Sequence, residues 1–200
     1  MRSYTFTGCI AAGKTTLAKT FAEKHGYLFV EEECDKNPYL EPFYKDMHSN
    51  AEKMQMFYLT HRLEQIKNID ISTECIVQDQ MMYAFGYIFP HLQYAGDILT
   101  TAQFMKINNF MSAIQYYERT RDEIIIYIRT KLPDAQKLYD RIVSRDRKCE
   151  LSISIDYLKN LIKEYEYWYK TRIAKNIIEV DAFASLEDNL KLIDEKIFIS

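Results

Sequence analysis

No apolar run in the 200-residue chain approaches the eighteen or so residues that a membrane-spanning helix needs. No long basic run accompanies the formal net charge of −3. A nucleic-acid backbone or an anionic membrane calls for such a run, so neither is expected as a partner and a small soluble ligand fits better. The cysteines Cys9, Cys34, Cys75 and Cys149 form no CxxC pair, and the histidines His25, His48, His61 and His91 lack an HExxH spacing. Neither a structural metal nor a disulfide is expected. No linker, repeat or low-complexity segment divides the sequence, and 48% hydrophobic residues suit one α/β core better than two. A single domain over residues 1–200 is expected. A cytoplasmic location follows from the early first strand, which a cleavable signal peptide would destroy.

What is present begins at that strand, Tyr4-Thr5-Phe6-Thr7. It runs into Gly8-Cys9-Ile10-Ala11-Ala12-Gly13-Lys14-Thr15-Thr16, which fits the P-loop pattern of two glycines followed by Lys and Ser/Thr. The helical spacing of Leu17 to Ala22 completes the strand, loop, helix context that the pattern requires. Backbone N–H groups of such a loop cradle phosphates at a helix N-terminus. Lys14 then reaches the β/γ-phosphates of ATP, and the Thr15 hydroxyl ligates Mg²⁺. Cys9 is either a small loop filler or a thiol made acidic by those donors.

Tyr27 to Val30 is a short strand followed by Glu31-Glu32-Glu33. Groups just past the carboxyl ends of parallel strands face the ligand crevice, so at least one of these acids belongs near the transferred phosphate. Ala51 to about Ile69 keeps helical spacing, with Gln55 and Arg62 seven residues apart on one face. Ile71 to Gln78 contains a buried-strand run closed by Asp79, where a Walker-B-like magnesium partner belongs. Met81 to Phe89 is an apolar and aromatic stretch that ends at Pro90, and Thr100 to Tyr117 is helical. Ile124 to Ile128 is a β-branched strand, and Pro133 starts a helix that runs into Arg141, Arg145 and Arg147. A helix over Asp156 to Lys170, a strand over Asn176 to Val180 and a helix over Leu186 to Ile197 finish the chain. The pattern predicts an α/β P-loop NTPase fold: a five-stranded parallel sheet with helices on both faces, one enlarged helical insertion and an arginine-rich lid.

A P-loop alone does not separate a kinase from a switch or a motor. Between residues 27 and 115 the only arginine is Arg62, too little fixed positive charge for an acceptor that already carries a phosphate. A neutral hydroxyl acceptor with a planar ring suits the aromatic residues there (Tyr39, Phe43, Tyr44, Phe57, Tyr58, Tyr83, Phe85, Phe89), most of them core and two or three touching the ligand. The chain resembles the deoxyribonucleoside kinase family, particularly its bacterial deoxyadenosine and deoxyguanosine kinases. The stretches that carry the resemblance are Gly8 to Thr16, Glu32 to Tyr44, Met54 to Arg62, Asp79, Arg141 to Arg147, and Tyr157 through Trp168.

The resemblance implies ATP-dependent phosphoryl transfer to the 5′-hydroxyl of a deoxyribonucleoside, with a purine preferred and nucleotide salvage as the setting. It implies Glu32 as general base, with Glu31 and Glu33 turned away if the segment is extended. Gln55 and Arg62 match the base-edge readers and Phe89 the ring that stacks on the base. Tyr44 and Glu150 match the pair that holds the sugar 3′-hydroxyl. Arg145 and Arg147, with Arg141, resemble the arginines that close over the triphosphate. A dimer, of identical chains or with a paralogue, is implied as well. Two positions depart from the family pattern. Gln80-Met81 follow Asp79 where Arg-Ser is common, and Phe85 stands where an acid or amide usually contacts the base. The alternatives are a kinase of another small hydroxylated acceptor and a nucleotide-binding regulatory subunit.

Overall fold

The computed structural model describes residues 2–70, 72–118, 122–147, 150–171 and 176–199. Its centre is β1 (Arg2–Gly8), buried from Ser3 onward because strands flank it on both edges and helices cover both faces. Tyr4 and Phe6 point to one face and meet Phe21 of α1 (Lys14–His25), with ring centroids 5.2 and 5.6 Å apart. Thr5 and Thr7 point to the other. On that face Tyr127 of β4 (Asp122–Arg129) lies 6.1 Å from Tyr165 of α7 (Ile155–Thr171).

β2 (Leu28–Val30), β3 (Cys75–Asp79) and β5 (Ile177–Asp181) complete a five-stranded parallel sheet in the order β2-β3-β1-β4-β5. Phe6 pairs with Asp79 and Gly8 with Ile128, so the carboxyl ends of β1, β3 and β4 finish on one edge. This is the expected α/β architecture.

A second apolar core belongs to the insertion. It is built from α2 (Leu40–Lys45), α3 (Met47–Lys67), a π-helical turn over Ala84–Ile88, α4 (Phe89–Ala95) and α5 (Thr101–Glu118), through Phe43, Leu59, Phe85, Ile107 and Met111. Pro90 does not end this segment. It occupies the first turn of α4, where a missing N–H is an orphan in any case, and the helix continues to Ala95. The buried-strand run within Ile71 to Gln78 starts at Cys75, after a turn in which Thr73 N–H donates to the Asp70 carbonyl; Ile71 lies outside the described residues. The remaining helices are α6 (Ala135–Arg145) and α8 (Leu186–Asp194), the latter passing into a π turn over Glu195–Ile199.

Gly8 sits where β1 leaves the sheet. A Cβ there would lie 2.5 Å from the Ile128 carbonyl oxygen, and backbone cannot yield as a flexible side chain can. Gly8→Ala should therefore lower the thermal midpoint, by about 2–4 °C for each kcal/mol of strain, and misplace the loop that follows. A melt read alongside ATP affinity checks both effects.

Candidate active site

The loop after β1 turns back on itself, with Ala12 N–H donating to the Cys9 carbonyl and left-handed backbone at Ala11 (φ 61°) and Gly13 (φ 94°). Gly13 caps α1, so the first free N–H groups of that helix open toward solvent beside Lys14 and Thr15. Lys14 Nζ donates to the Cys9 carbonyl at 3.0 Å, holding the ammonium over the loop. Cys9 is the filler rather than the acidic thiol. It is buried beneath the loop, the Thr130 hydroxyl bonds its sulfur at 3.2 Å, and burial pushes its pKa up to about 12. Cys9, Cys34 and Cys75 are free thiols, and Cys149 lies outside the described residues.

Three cavities join around this loop. An outer groove of about 580 Å³ runs over Ala11, Ala12, Gly13, Lys14, Thr15 and Thr16 to Arg141 and Ala182. Arg141 spans that groove's edge. Its guanidinium donates to the Ala11 and Ala182 carbonyls and lies 4.4 Å over the Phe183 ring. A middle cavity of about 250 Å³ is bordered by Lys14, Thr15, Glu32, Asp79, Arg145 and Arg147. An inner pocket of about 60 Å³ is walled by Tyr44, Gln55, Phe85, Phe89, Gln93 and Glu150, among others. Glu32, Cys34, Phe89 and Glu150 belong to both the middle and the inner spaces, so Glu32 stands at their junction.

The segment carrying Glu32 is held from behind by α3. Gln65 donates to the Glu31 carbonyl and to the Glu33 carboxylate, His61 bonds the same carboxylate oxygen at 2.7 Å, and Asn37 reaches the Met54 carbonyl. Glu33 does point away from Glu32, but not because the segment is extended. Its backbone is left-handed (φ 52°), which starts a 3₁₀ turn over Cys34–Lys36. Lys36 first, and then His61, hold the Glu33 carboxyl below the ordinary range. Glu31 is exposed. Glu32 is partly buried, and no salt bridge among the described residues engages it. Burial pushes its pKa up, the Asp79 charge adds to this, and Lys14 opposes it.

Asp79 Oδ2 accepts a 2.5 Å hydrogen bond from the Thr15 hydroxyl, while its Oδ1 is buried and unpartnered. Two hard oxygen donors with spare coordination beside a phosphate-binding loop would fit a magnesium ion, which would supply neutralising positive charge there. On the far wall, Arg145 and Arg147 both pair with the buried Glu150 carboxylate. Tyr44 and Glu150 both line the inner pocket, where the two arginines engage the Glu150 carboxylate. Lys148 is outside the described residues.

Arg62 differs from its expected place. It is 2% exposed and donates to the Val30 and Asp79 carbonyls at 3.2 and 2.5 Å, tying the ends of β2 and β3 to α3, and it lines neither the middle nor the inner cavity. Five of the eight aromatics (Phe43, Tyr44, Tyr58, Phe85, Phe89) line the inner pocket, because core residues of the insertion double as its wall. Gln80, in place of the common arginine, adopts a left-handed backbone (φ 70°). Its amide oxygen is fixed by the Thr7 hydroxyl and the Met81 N–H. Gln93 was not foreseen; a polar residue inside an apolar helix gives no periodic signal.

A phosphate cradle, a carboxylate at the junction of two cavities and facing arginines define a P-loop phosphotransferase. The sequence profile described as deoxynucleoside kinase matches residues 5–198. A deoxyguanosine kinase of Bacillus subtilis is 33% identical over 159 residues, which cover 80% of this chain and 74% of that protein. A deoxyadenosine kinase of Lactobacillus acidophilus is 30% identical over 96% of this chain and 94% of its own length. The solved structure of deoxyadenosine kinase from M. mycoides with bound dCTP superposes with a TM-score of 0.86 at 28% identity, covering 99% of this chain and all of that one. The chain belongs to the deoxynucleoside kinase family.

The raised pKa of Glu32 has a consequence for stability. The folded protein retains that proton at pH values where the unfolded chain has lost it, so stability declines as pH rises through this window and the penalty persists above it. Glu32→Gln should therefore melt higher than the wild type at pH 8. The difference should shrink toward zero as the pH approaches the ordinary carboxylate range near about 4. Paired melts across pH test this.

Proposed function

We propose that the protein transfers the γ-phosphoryl group of ATP to the 5′-hydroxyl of a purine deoxynucleoside. The observation that carries this reading is the position of Glu32 between a neutral, aromatic-walled pocket and a cavity bordered by Lys14, Thr15 and Asp79. The purine preference rests on relatives named deoxyguanosine and deoxyadenosine kinases.

The acceptor enters the inner pocket with its ring between Phe89 and Gln55 and its hydroxyl toward Glu32. Glu32 orients that hydroxyl and accepts its proton as the oxygen bonds to phosphorus and the bond to ADP breaks. The upward pKa of Glu32 suits this task, since a base closer in pKa to neutrality both remains available and holds the proton better. The triphosphate lies along the outer groove, with the loop N–H groups and Lys14 on its phosphates. Arg141, Arg145 and Arg147 face it from the other side as the lid. Magnesium, held by Thr15 and Asp79, supplies neutralising charge when bound.

The lid arginines turn from Glu150 toward phosphate, since a triphosphate offers them more charge than one carboxylate does. Tyr44 and Glu150 then hold the sugar. The protein works in the cytoplasm in nucleotide salvage, and it pairs through the helical insertion, where Met105 on α5 is 56% exposed. Light scattering should return the mass of two chains, and Met105→Glu should reduce it to one.

The decisive assay measures magnesium- and ATP-dependent phosphorylation of the four deoxynucleosides, with dAMP as a control acceptor. Purine deoxynucleosides should be the better substrates, and Glu32→Gln should lower kcat by about 10²- to 10⁴-fold with little change in ATP affinity. The wild-type kcat/KM should rise with pH through an apparent pKa above the ordinary carboxylate value and then level off. Phosphorylation of none of the four, despite ATP binding, would overturn the reading.

A further inference from the structure

Gln93 on α4 is completely buried, at 0% exposure, and neither its Nε2 nor its Oε1 has a partner. It lines the inner pocket with Gln55, which is 1% exposed and whose Oε1 is also unpartnered. Three of the seven buried side-chain polar atoms without partners among the described residues belong to these two amides. A buried, unbonded amide is costly, so a concentration of them on one cavity wall marks where a polar ligand completes the bonding.

The position along the chain points the same way. Phe85, Phe89 and Gln93 are spaced four residues apart and all line the pocket, so the wall runs from the π turn through α4. At its near end Phe85 is stacked on Tyr58 with ring centroids 4.7 Å apart, leaving no polar group where the family commonly has one. Arg62 is turned onto main-chain carbonyls. The polar reading of the base thus shifts along the wall to a residue two helical turns further on.

Resting on the kinase reading above, we propose that Gln93 is a specificity-determining residue that hydrogen-bonds the edge of the purine base, forming with Gln55 a two-carboxamide reader that contains no charged group. Each amide offers one acceptor and two donors, which matches the mixed donor and acceptor edge of a purine. No hydrogen bond among the described residues fixes which way the Gln93 amide faces, so the base itself orients it.

The test is a cycle between protein and substrate. Gln93→Met keeps the unbranched length and removes both hydrogen-bonding atoms. Wild type and variant are assayed with the better purine deoxynucleoside, with its analogue lacking the 6-substituent and with its 7-deaza analogue. Gln93→Met should lower kcat/KM for the parent nucleoside at least tenfold, mainly through KM, while KM for ATP stays within twofold and the melting point does not fall. At least one analogue that is penalised in the wild type should lose most of that penalty in the variant.

If the penalties of substitution and analogue simply multiply for both analogues, or if the parent nucleoside is unaffected, Gln93 does not read the base. If Gln93→Met does not fold, Gln93→Asn, which withdraws the same amide by one methylene, carries the same cycle with the same two readings. A wild type inactive on every deoxynucleoside would overturn the kinase reading itself. An active wild type with multiplicative penalties overturns only the role of Gln93.

Discussion

The carboxyl end of β3 is bound from four directions, and the site depends on that knot. The Asp79 side chain accepts from Thr15 at the start of α1, and its backbone carbonyl accepts from Arg62 on α3. One residue later, Gln80 N–H donates to the Phe6 carbonyl of β1, while its side chain meets Thr7 and, at 3.5 Å, the Tyr165 hydroxyl of α7. The helices α1, α3 and α7 and the strand β1 thereby share one anchor. Each bond contributes only about 1 kcal/mol, but the alternative in this buried place is a set of unsatisfied polar groups at greater cost. The left-handed backbone at Gln80 is tolerated because these partners over-determine it.

The electrostatic design follows from how the charges are shared. Glu33 is drawn into Lys36, His61 and Gln65, and Glu150 into Arg145 and Arg147, so both act as structural ions. Among the described residues Glu32 has no such ion pair, and burial pushes its pKa up. The fold in effect commits two carboxylates to ion pairs and leaves a third outside them. The strain of a withdrawn acid is typical of sites that trade stability for chemistry.

Features encoded by short stretches were legible in the sequence. The phosphate loop was readable because its conformation depends on residues within nine positions, and the five strands because a parallel sheet covered on both faces needs continuous apolar runs. Asp79 was readable from its place after a strand. The departures arise where long-range packing decides. The extended geometry expected past Val30 gives way at Glu33, because α3 pulls that carboxylate in. Pro90, read as a stop, enters the first turn of a helix. Arg62 has the spacing of a pocket residue, yet two carbonyl groups claim its guanidinium. Gln93 carries no local signal at all, since only the folded cavity distinguishes a buried amide that faces a ligand from one that faces a neighbour.

Helix α3 has a further property that its individual contacts do not convey. Gln55 faces the inner pocket, whereas Arg62 and Gln65, two and three turns on, hold the strand ends and the loop that present Glu32 and Asp79. At 1.5 Å per residue, the seven positions from Gln55 to Arg62 span about 10 Å of one stiff rod. The helix thus acts as a length gauge between the wall of the inner pocket and the segments that carry Glu32 and Asp79. Its calibration is an integer number of peptide units. Such a gauge changes only in steps, because adding or deleting one residue rotates everything beyond it by about 100° as well as shifting it.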